Sequence, residues 1–331
     1  MIYLDNGATT RPLYEWSKNP FHNPYNEWLN SHTPYSNGDN LLWECREKIA
    51  KCIGAKPNEI FFTSGGCEGN TWCINILYNM LERPVLVSPN EHKSIINNPR
   101  IVIGDGKRVD KNTYDYDSCM LVNNETGVMY KCDSIHKDMV QALGKVKINV
   151  RDNKCRMATF SGHKIHGDKG VGFVWIDEKV HKYIEPLIYG GAQEFGLRGG
   201  TSNVNGVLHM TDCVEMVTSK EHLDKNKVLY DYFMENIIDG LVLNAIPCIP
   251  TFSLRNNKYK GEYLVNRLME KGVFVSTGSG CSTGEESYVL KNLGLTDDEA
   301  SATIRVSLDG EENSKEDIDI FFREVGEILN E

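Results

Sequence analysis

Short β-rich runs alternate with longer amphipathic stretches through the first three quarters of this 331-residue chain, and that alternation limits the folds open to it. "EIFFTSG", "PVLVS", "CMLVNN", "KINV" and "GVGFVWI" read as strands, while segments such as "NLLWECREKIAKCIG" carry apolar residues at helical spacing. The pattern predicts an α/β fold, a mainly parallel sheet covered by helices. Sites in such sheets form at the carboxyl ends of strands, where glycine-rich turns enter helices. "FFTSGGCEGNTWCINIL" has that form: a strand, a Ser-Gly-Gly turn, then a helical pattern. After about residue 245 the texture changes to a helix pattern "GEYLVNRLMEKG", a strand "VFVST", a loop and a last helix "SKEDIDIFFREVGEIL". This segment reads as a smaller α+β domain, and the chain length suits such a pair.

A formal net charge of -10 gives no general attraction to nucleic acid or to anionic lipid, so small-molecule chemistry is the expectation. No window approaches the roughly 18 apolar residues of a spanning helix, and "MIYLDNGATT" has neither a basic nor a long apolar segment. A cytoplasmic protein with no nucleic-acid or membrane partner is expected. Ten cysteines are scattered without a CxxC pair, which argues against zinc and redox motifs and for buried, reduced thiols at most of them, with room for at least one exception.

The most informative single residue is Lys164 in "RMATFSGHKIHGDKGVGFVWI". A phosphate-loop lysine needs Ser or Thr after it, and Ile165 follows, so that reading fails. A solvated loop charge and a covalent catalyst remain. A lysine that forms a Schiff base with pyridoxal phosphate needs a phosphate cradle, an acid for the pyridine nitrogen and a flat group over the ring. Ser64-Gly65-Gly66 at a helix start offers the cradle. Asp138 offers the acid, with Gln141 three residues on, and His92 in "NEHKS" offers the flat group. Each has an ordinary alternative as a turn or surface residue, and these residues alone leave the choice open.

The stretches "YLDNGATT", "NEIFFTSGGCEGN", "EHKS", "VNNETGV", "DMVQALGK", "FSGHKIHGDKGVG", "GGAQEFGLRGGTSN", "VSTGSGCSTG" and "IRVSL" occur in that order along nearly the whole chain. In them the sequence resembles the cysteine desulfurases of the class V aminotransferase family. The resemblance implies a homodimer of the pyridoxal-phosphate fold type I. It implies a large domain over residues 12–245, and a small domain built from residues 1–11 and 246–331 that carries the catalytic-cysteine loop. It gives Lys164 as the Schiff-base lysine, His92 as the ring-stacking histidine and Asp138 as the partner of the pyridine nitrogen. Asn124 and Gln141 are implied near the ring hydroxyl, Ser161 and His163 at the phosphate with the backbone of Gly66 and Cys67, and Thr201 at the phosphate of the neighbouring subunit's cofactor. Cys281, flanked by small polar residues that suit a flexible loop, matches the nucleophile, and Arg305 matches the residue that binds the substrate carboxylate. The implied reaction converts L-cysteine to L-alanine, with sulfur held as a persulfide on Cys281 and passed to an acceptor protein or thiol. A free thiol has a pKa of about 8.5, and His92 is the expected acceptor of its proton.

The chain departs from the family pattern at several points. Cys67 stands where a threonine is usual, and a thiol is a weak donor. Gly7 stands where alanine is usual, the stretch between "NNETGV" and "DMVQ" is shorter by about a helix, and the loop after Cys281 is slightly shortened. The extended C-terminal tail that often contacts an iron-sulfur scaffold is missing. Two rival readings are a related lyase or aminotransferase acting on selenocysteine or cysteine sulfinate, and a reduced paralogue acting as a binding subunit. Cys281 argues against the first. The coexistence of Lys164, His92, Cys281 and Arg305 argues against the second.

Overall fold

The computed structural model describes residues 1–13, 38–104, 115–277 and 287–331. The backbone gathers into two units, one of residues 11–121 and 131–219, the other of residues 1–10, 122–130 and 220–331. The first residues thus join the C-terminal part, starting with strand β1 (Ile2–Tyr3). The boundary lies at 219/220, upstream of the change in texture at 245, because the helix that begins at Lys220 packs with the C-terminal part.

The larger unit opens with helix α1 (Gly38–Ile53), whose buried Leu42, Cys45, Ile49 and Ile53 recur at helical spacing. Strand β2 (Ile60–Thr63) runs into α2 (Gly66–Leu81) through the turn at Ser64-Gly65. Then come β3 (Val85–Val87), the single-turn α3 (Lys93–Ile96), β4 (Ile101–Ile103), β5 (His136–Asp138), β6 (Met157–Ser161), β7 (Gly172–Ile176) and α4 (Val204–Val217). The sheet runs β2-β7-β6-β5, continues through bridges at Ser118 to β3, and ends at β4. Its pairings are parallel except where β7 lies antiparallel to both β2 and β6. The core is built on Phe61, Trp72, Leu77, Val85, Met157, Val174 and Ile176.

Two expected strands are absent in this form. "KINV" is irregular: Val150 N–H donates to Ile53 O, and Ile148 and Val150 are buried without joining the sheet. "CMLVNN" runs beside β5, with Cys119 and Leu121 N–H donating to His136 and Asp138 carbonyls, but it forms no ladder: Ser118, just before it, and Val122 within it make isolated bridges, the latter to Met129. The cysteines are also less uniform than expected. Cys45, Cys73, Cys155 and Cys213 are buried thiols, Cys67 and Cys248 are exposed, and Cys119 is joined to Cys132 by a disulfide. Among the described residues no helix is long and apolar enough to cross a membrane.

In the smaller unit α5 (Lys220–Glu235), α6 (Gly261–Glu270), α7 (Tyr288–Asn292), α8 (Asp297–Ser301) and α9 (Lys315–Asn330) accompany two small sheets. One is β8 (Val242–Leu243), β9 (Thr251–Arg255) and β11 (Thr303–Ser307), all antiparallel. The other pairs β1 in parallel with β10 (Val273–Phe274). Phe233 stacks on Phe252 at 3.8 Å between ring centres, and Phe321, Leu254 and Ile304 complete that core. Ser314 caps α9 reciprocally with Asp317, which fixes where the last helix starts.

One close approach positions the turn after β2. A Cβ on Gly172 would lie 2.7 Å from Gly65 Cα and 2.7 Å from Phe160 O, both backbone atoms. Only glycine lets β7 press against the turn at this point. Gly172→Ala should therefore lower the urea midpoint by the equivalent of about 1–3 kcal/mol; an unchanged midpoint would show that the turn relaxes freely.

Candidate active site

Four strands of the larger unit end where its functional side chains gather. Gly65 adopts φ 140°, outside the usual range of L-residues, and opens α2 as its N-cap. The next N–H groups, of Gly66 and Cys67, open a 16-residue helix, whose first turn has no intrahelical acceptors and carries the positive end of the dipole. Ser161 closes β6 beside this turn, its Oγ 3.5 Å from where a Cβ on Gly65 would sit. The 3-10 turn Gly162–Lys164 follows immediately, so Ser161, His163 and Lys164 arrive together. Burial, reinforced by the charges of Lys164 and Lys169, pushes the His163 imidazole down to about 4, which leaves it neutral at physiological pH.

Strand β5 supplies the acid. All of His136, Lys137 and Asp138 are buried, and alternation puts His136 and Asp138 on one face and Lys137 on the other. His136 lies between Ser118 Oγ (2.9 Å) and Thr159 Oγ1 (3.0 Å), and burial pushes it down to about 3. Burial also lowers Lys137. Asp138 accepts from Asn70 Nδ2 at 2.7 Å and from Val140 N–H at 2.9 Å, one donor on each oxygen. Gln141 is buried, and Lys145 Nζ donates to its Oε1 at 3.1 Å.

His92 caps α3. Its Nδ1 accepts from Ser94 N–H at 3.1 Å and lies 2.8 Å from Ser94 Oγ, which in turn accepts from Asn70 Nδ2 at 2.9 Å. Burial lowers the affinity of His92 for a proton; the charge of Asp138 opposes this and that of Lys164 adds to it. Glu91, fully buried, accepts from Met120 N–H at 2.6 Å, and burial, aided by the charge of Asp138, pushes its carboxyl well up.

A second cluster forms within the smaller unit. Arg305 on β11 is 2 % exposed; its Nη2 donates to Asp5 Oδ1 at 2.7 Å and its Nη1 to Asn124 O at 3.0 Å. Ser276 Oγ also donates to Asp5 Oδ1, at 2.9 Å. Gly7 belongs to this packing: a Cβ there would lie 2.6 Å from Ser307 Oγ, so the side chain at 307 fills the space that an alanine methyl would need. Asn124 thus falls with Arg305, in the unit opposite to that of the other expected cofactor residues. Thr201 is exposed, two residues before the Asn203 cap of α4. Cys281 lies outside the described residues.

Reasoning from sequence did not single out Asn70, Ser94, Asp5 or Glu68. The signal for Asn70 was its place one helical turn after the glycine turn, on the same face as Gly66; Ser94 follows His92 by two, the spacing of an N-cap bond. Glu68 has a role of its own. It accepts from Ser64 N–H at 2.8 Å and from Arg198 Nε and Nη2 at 2.8 and 3.0 Å, tying the turn before α2 to the segment leading to Thr201. A separate cavity of about 640 Å³, lined by Glu59, Arg151, Trp175 and Asp177, lies toward the opposite end of β7 and is bridged by ion pairs.

The model of the aminotransferase class-V family matches residues 2–117 and 107–321. The chain belongs to that family. It is 31% identical to the cysteine desulfurase IscS of Methanosarcina thermophila, over 99% of this chain and 92% of that one. Its fold is that of a solved NifS-like protein, with a TM-score of 0.85, 27% identity and 99% of each chain covered. A structure of SspA in complex with cysteine matches with a TM-score of 0.77 and 25% identity, over 94% of this chain and 99% of that one.

Burial alone raises the Glu68 carboxyl, but the Arg198 fork and Ser64 N–H outweigh it and hold it below the ordinary carboxylate value. The folded pKa then lies below the unfolded one of about 4.3, so the pair contributes stability that is present above that value and is lost as the pH falls through the folded pKa. The urea midpoint of Glu68→Gln should fall below that of the parent at neutral pH and converge with it in acid. A deficit that persists unchanged to about pH 3 would show that this carboxylate is not the source.

Proposed function

We propose that this protein is a pyridoxal-phosphate-dependent cysteine desulfurase that converts L-cysteine to L-alanine and carries the sulfur as a persulfide on Cys281. The observation that carries the reading is the hydrogen-bonded line from Asp138 through Asn70 and Ser94 to His92, beside a helix opened by glycines. The donor set fits the cofactor: a buried carboxylate for a ring nitrogen, an imidazole for a ring face, a lysine amine for an aldehyde, and Ser161, His163 and the first turn of α2 for a phosphate. Matched relatives named as cysteine desulfurases support the substrate.

When bound, pyridoxal phosphate supplies an electron sink that weakens bonds near the substrate's amino-bearing carbon. Lys164 Nζ would hold it covalently, and the free amine would serve to accept and return protons. Asp138 would keep the ring nitrogen protonated, and Arg305 would fix the substrate carboxylate through a guanidinium that Asp5 has already oriented. Cys281 Sγ, as thiolate, attacks the substrate sulfur. The carbon–sulfur bond breaks, the sulfur stays on Cys281 as a persulfide, and the electron pair left on carbon takes a proton to give alanine. A persulfide-accepting protein or thiol then removes the sulfur, in iron-sulfur cluster assembly or tRNA thiolation. A homodimer in the cytoplasm, in which Thr201 reaches the phosphate in the neighbouring subunit, completes the reading.

The purified protein incubated with L-cysteine and a reductant should release alanine and sulfide in equal amounts. Cys281→Ser should keep cofactor absorption and lose sulfide release, whereas Lys164→Ala should lose the visible absorption band. Undiminished sulfide from Cys281→Ser would remove it as nucleophile. Arg305→Ala should raise KM for L-cysteine by about tenfold or more; an unchanged KM would count against its carboxylate role.

A further inference from the structure

The side chain of Asn70 is 1 % exposed and spends both amide hydrogens inside the protein, one on Ser94 Oγ and one on Asp138 Oδ2. Its Oδ1 is buried with no hydrogen-bond partner among the described residues. Flipping the amide would set that oxygen against the Asp138 carboxylate, so the NH2 group must face the acid. A buried acceptor left unsatisfied costs stability, and what this one secures is a donor to each end of a chain of polar groups. From Asn70 the chain runs one way to Asp138 and the other way, through the Ser94 hydroxyl, to His92 Nδ1.

The direction of that chain settles the state of His92. The Ser94 N–H can only donate, and it points at Nδ1. Ser94 Oγ receives a hydrogen from Asn70 and has its own to give to the same nitrogen. Nδ1 is therefore an acceptor, and the proton of the neutral ring sits on Nε2. We propose that Asn70 and Ser94 are positioning residues that hold His92 neutral with its proton on Nε2, so that His92 acts on the reacting sulfur as a hydrogen-bond donor and not as the base. A ring in this state stabilises an anionic sulfur by donating to it, and it has no lone pair on Nε2 with which to take the Cys281 proton. The same amide ties the acid of β5 to the histidine of α3, so the two groups expected at the nitrogen and over the face of the cofactor ring are set by one residue. The role of His92 toward sulfur rests on the desulfurase reading; its tautomer does not.

The test uses the full-length protein labelled with ¹⁵N-histidine, with His92 assigned by the resonance lost in His92→Gln. At neutral pH the ¹H–¹⁵N correlation pattern of His92 should show an unprotonated Nδ1 and a protonated Nε2. A proton on Nδ1, or an average of the two tautomers, would overturn the proposal whether or not the protein desulfurates cysteine. Asn70→Leu removes both donors at similar volume. It should shift the His92 nitrogen resonances, because the Ser94 hydroxyl loses the donor that orients it, and lower kcat by about tenfold with KM for L-cysteine unchanged. Parental kcat together with a parental His92 spectrum would also overturn it. Failure of the parent protein to release alanine and sulfide would count against the proposed function alone and leave the tautomer standing.

Discussion

A carboxylate buried in the middle of a sheet is the constraint from which the larger unit takes its order. Asp138 is 6 % exposed on a three-residue strand, and a buried charge is costly unless hydrogen bonds answer it. Two do so: the backbone N–H of Val140, where β5 turns, and the amide of Asn70 on α2. The first pins the end of the strand. The second requires α2 to lie at a set depth over the sheet, and that depth is held by contacts a methyl group would break. A Cβ on Gly69 would lie 2.7 Å from Thr159 Cγ2 and 2.9 Å from Val174 Cγ1, and one on Gly172 would strike the turn that starts the helix. The acid, the helix and the glycines thus depend on one another.

Much of this was legible in the sequence where periodicity or a local pattern carried the information. The amphipathic spacing of α1 and α9 and the apolar run of β7 give elements close to those expected. Lys164 could not be assigned from its own stretch; the expectation for it came from the distant residues that a cofactor-bound lysine requires and from the family resemblance. The order β5–β6 was harder to read: "HKD" has the composition of a surface loop, and it becomes a strand because its ladder with β6 and its side-chain partners offset the burial of three polar residues. "KINV" erred in the opposite direction. It has strand composition, but Ile148 and Val150 bury themselves at the end of α1 through one backbone bond to Ile53.

The residues that sequence reasoning missed share a physical trait. Asn70, Ser94, Glu68 and Asp5 act on other side chains, so no cofactor or substrate chemistry points to them. Asp5 shows why this matters for Arg305. A lone buried guanidinium would be expensive, and Asp5, with the Asn124 carbonyl, satisfies it and sets its plane. The usual alanine at 7 would press on the Ser307 side chain, on the strand that carries Arg305, so that side chain would have to shift to admit it.

Cys67 bears on whether the chain is a working enzyme or a reduced paralogue. If the loss of a threonine hydroxyl marked decay, the supports around the cradle would be expected to loosen with it, since nothing would maintain them. They are intact: Glu68, the next residue, still holds Ser64 N–H and a two-point bond from Arg198, and Asn70 still spends a buried amide on Asp138 at the cost of an unsatisfied oxygen. Such an arrangement stabilises the fold less than an apolar replacement would. On the proposed function, Asp138 is the partner of the cofactor's ring nitrogen, and Cys67 changes how tightly the phosphate is held.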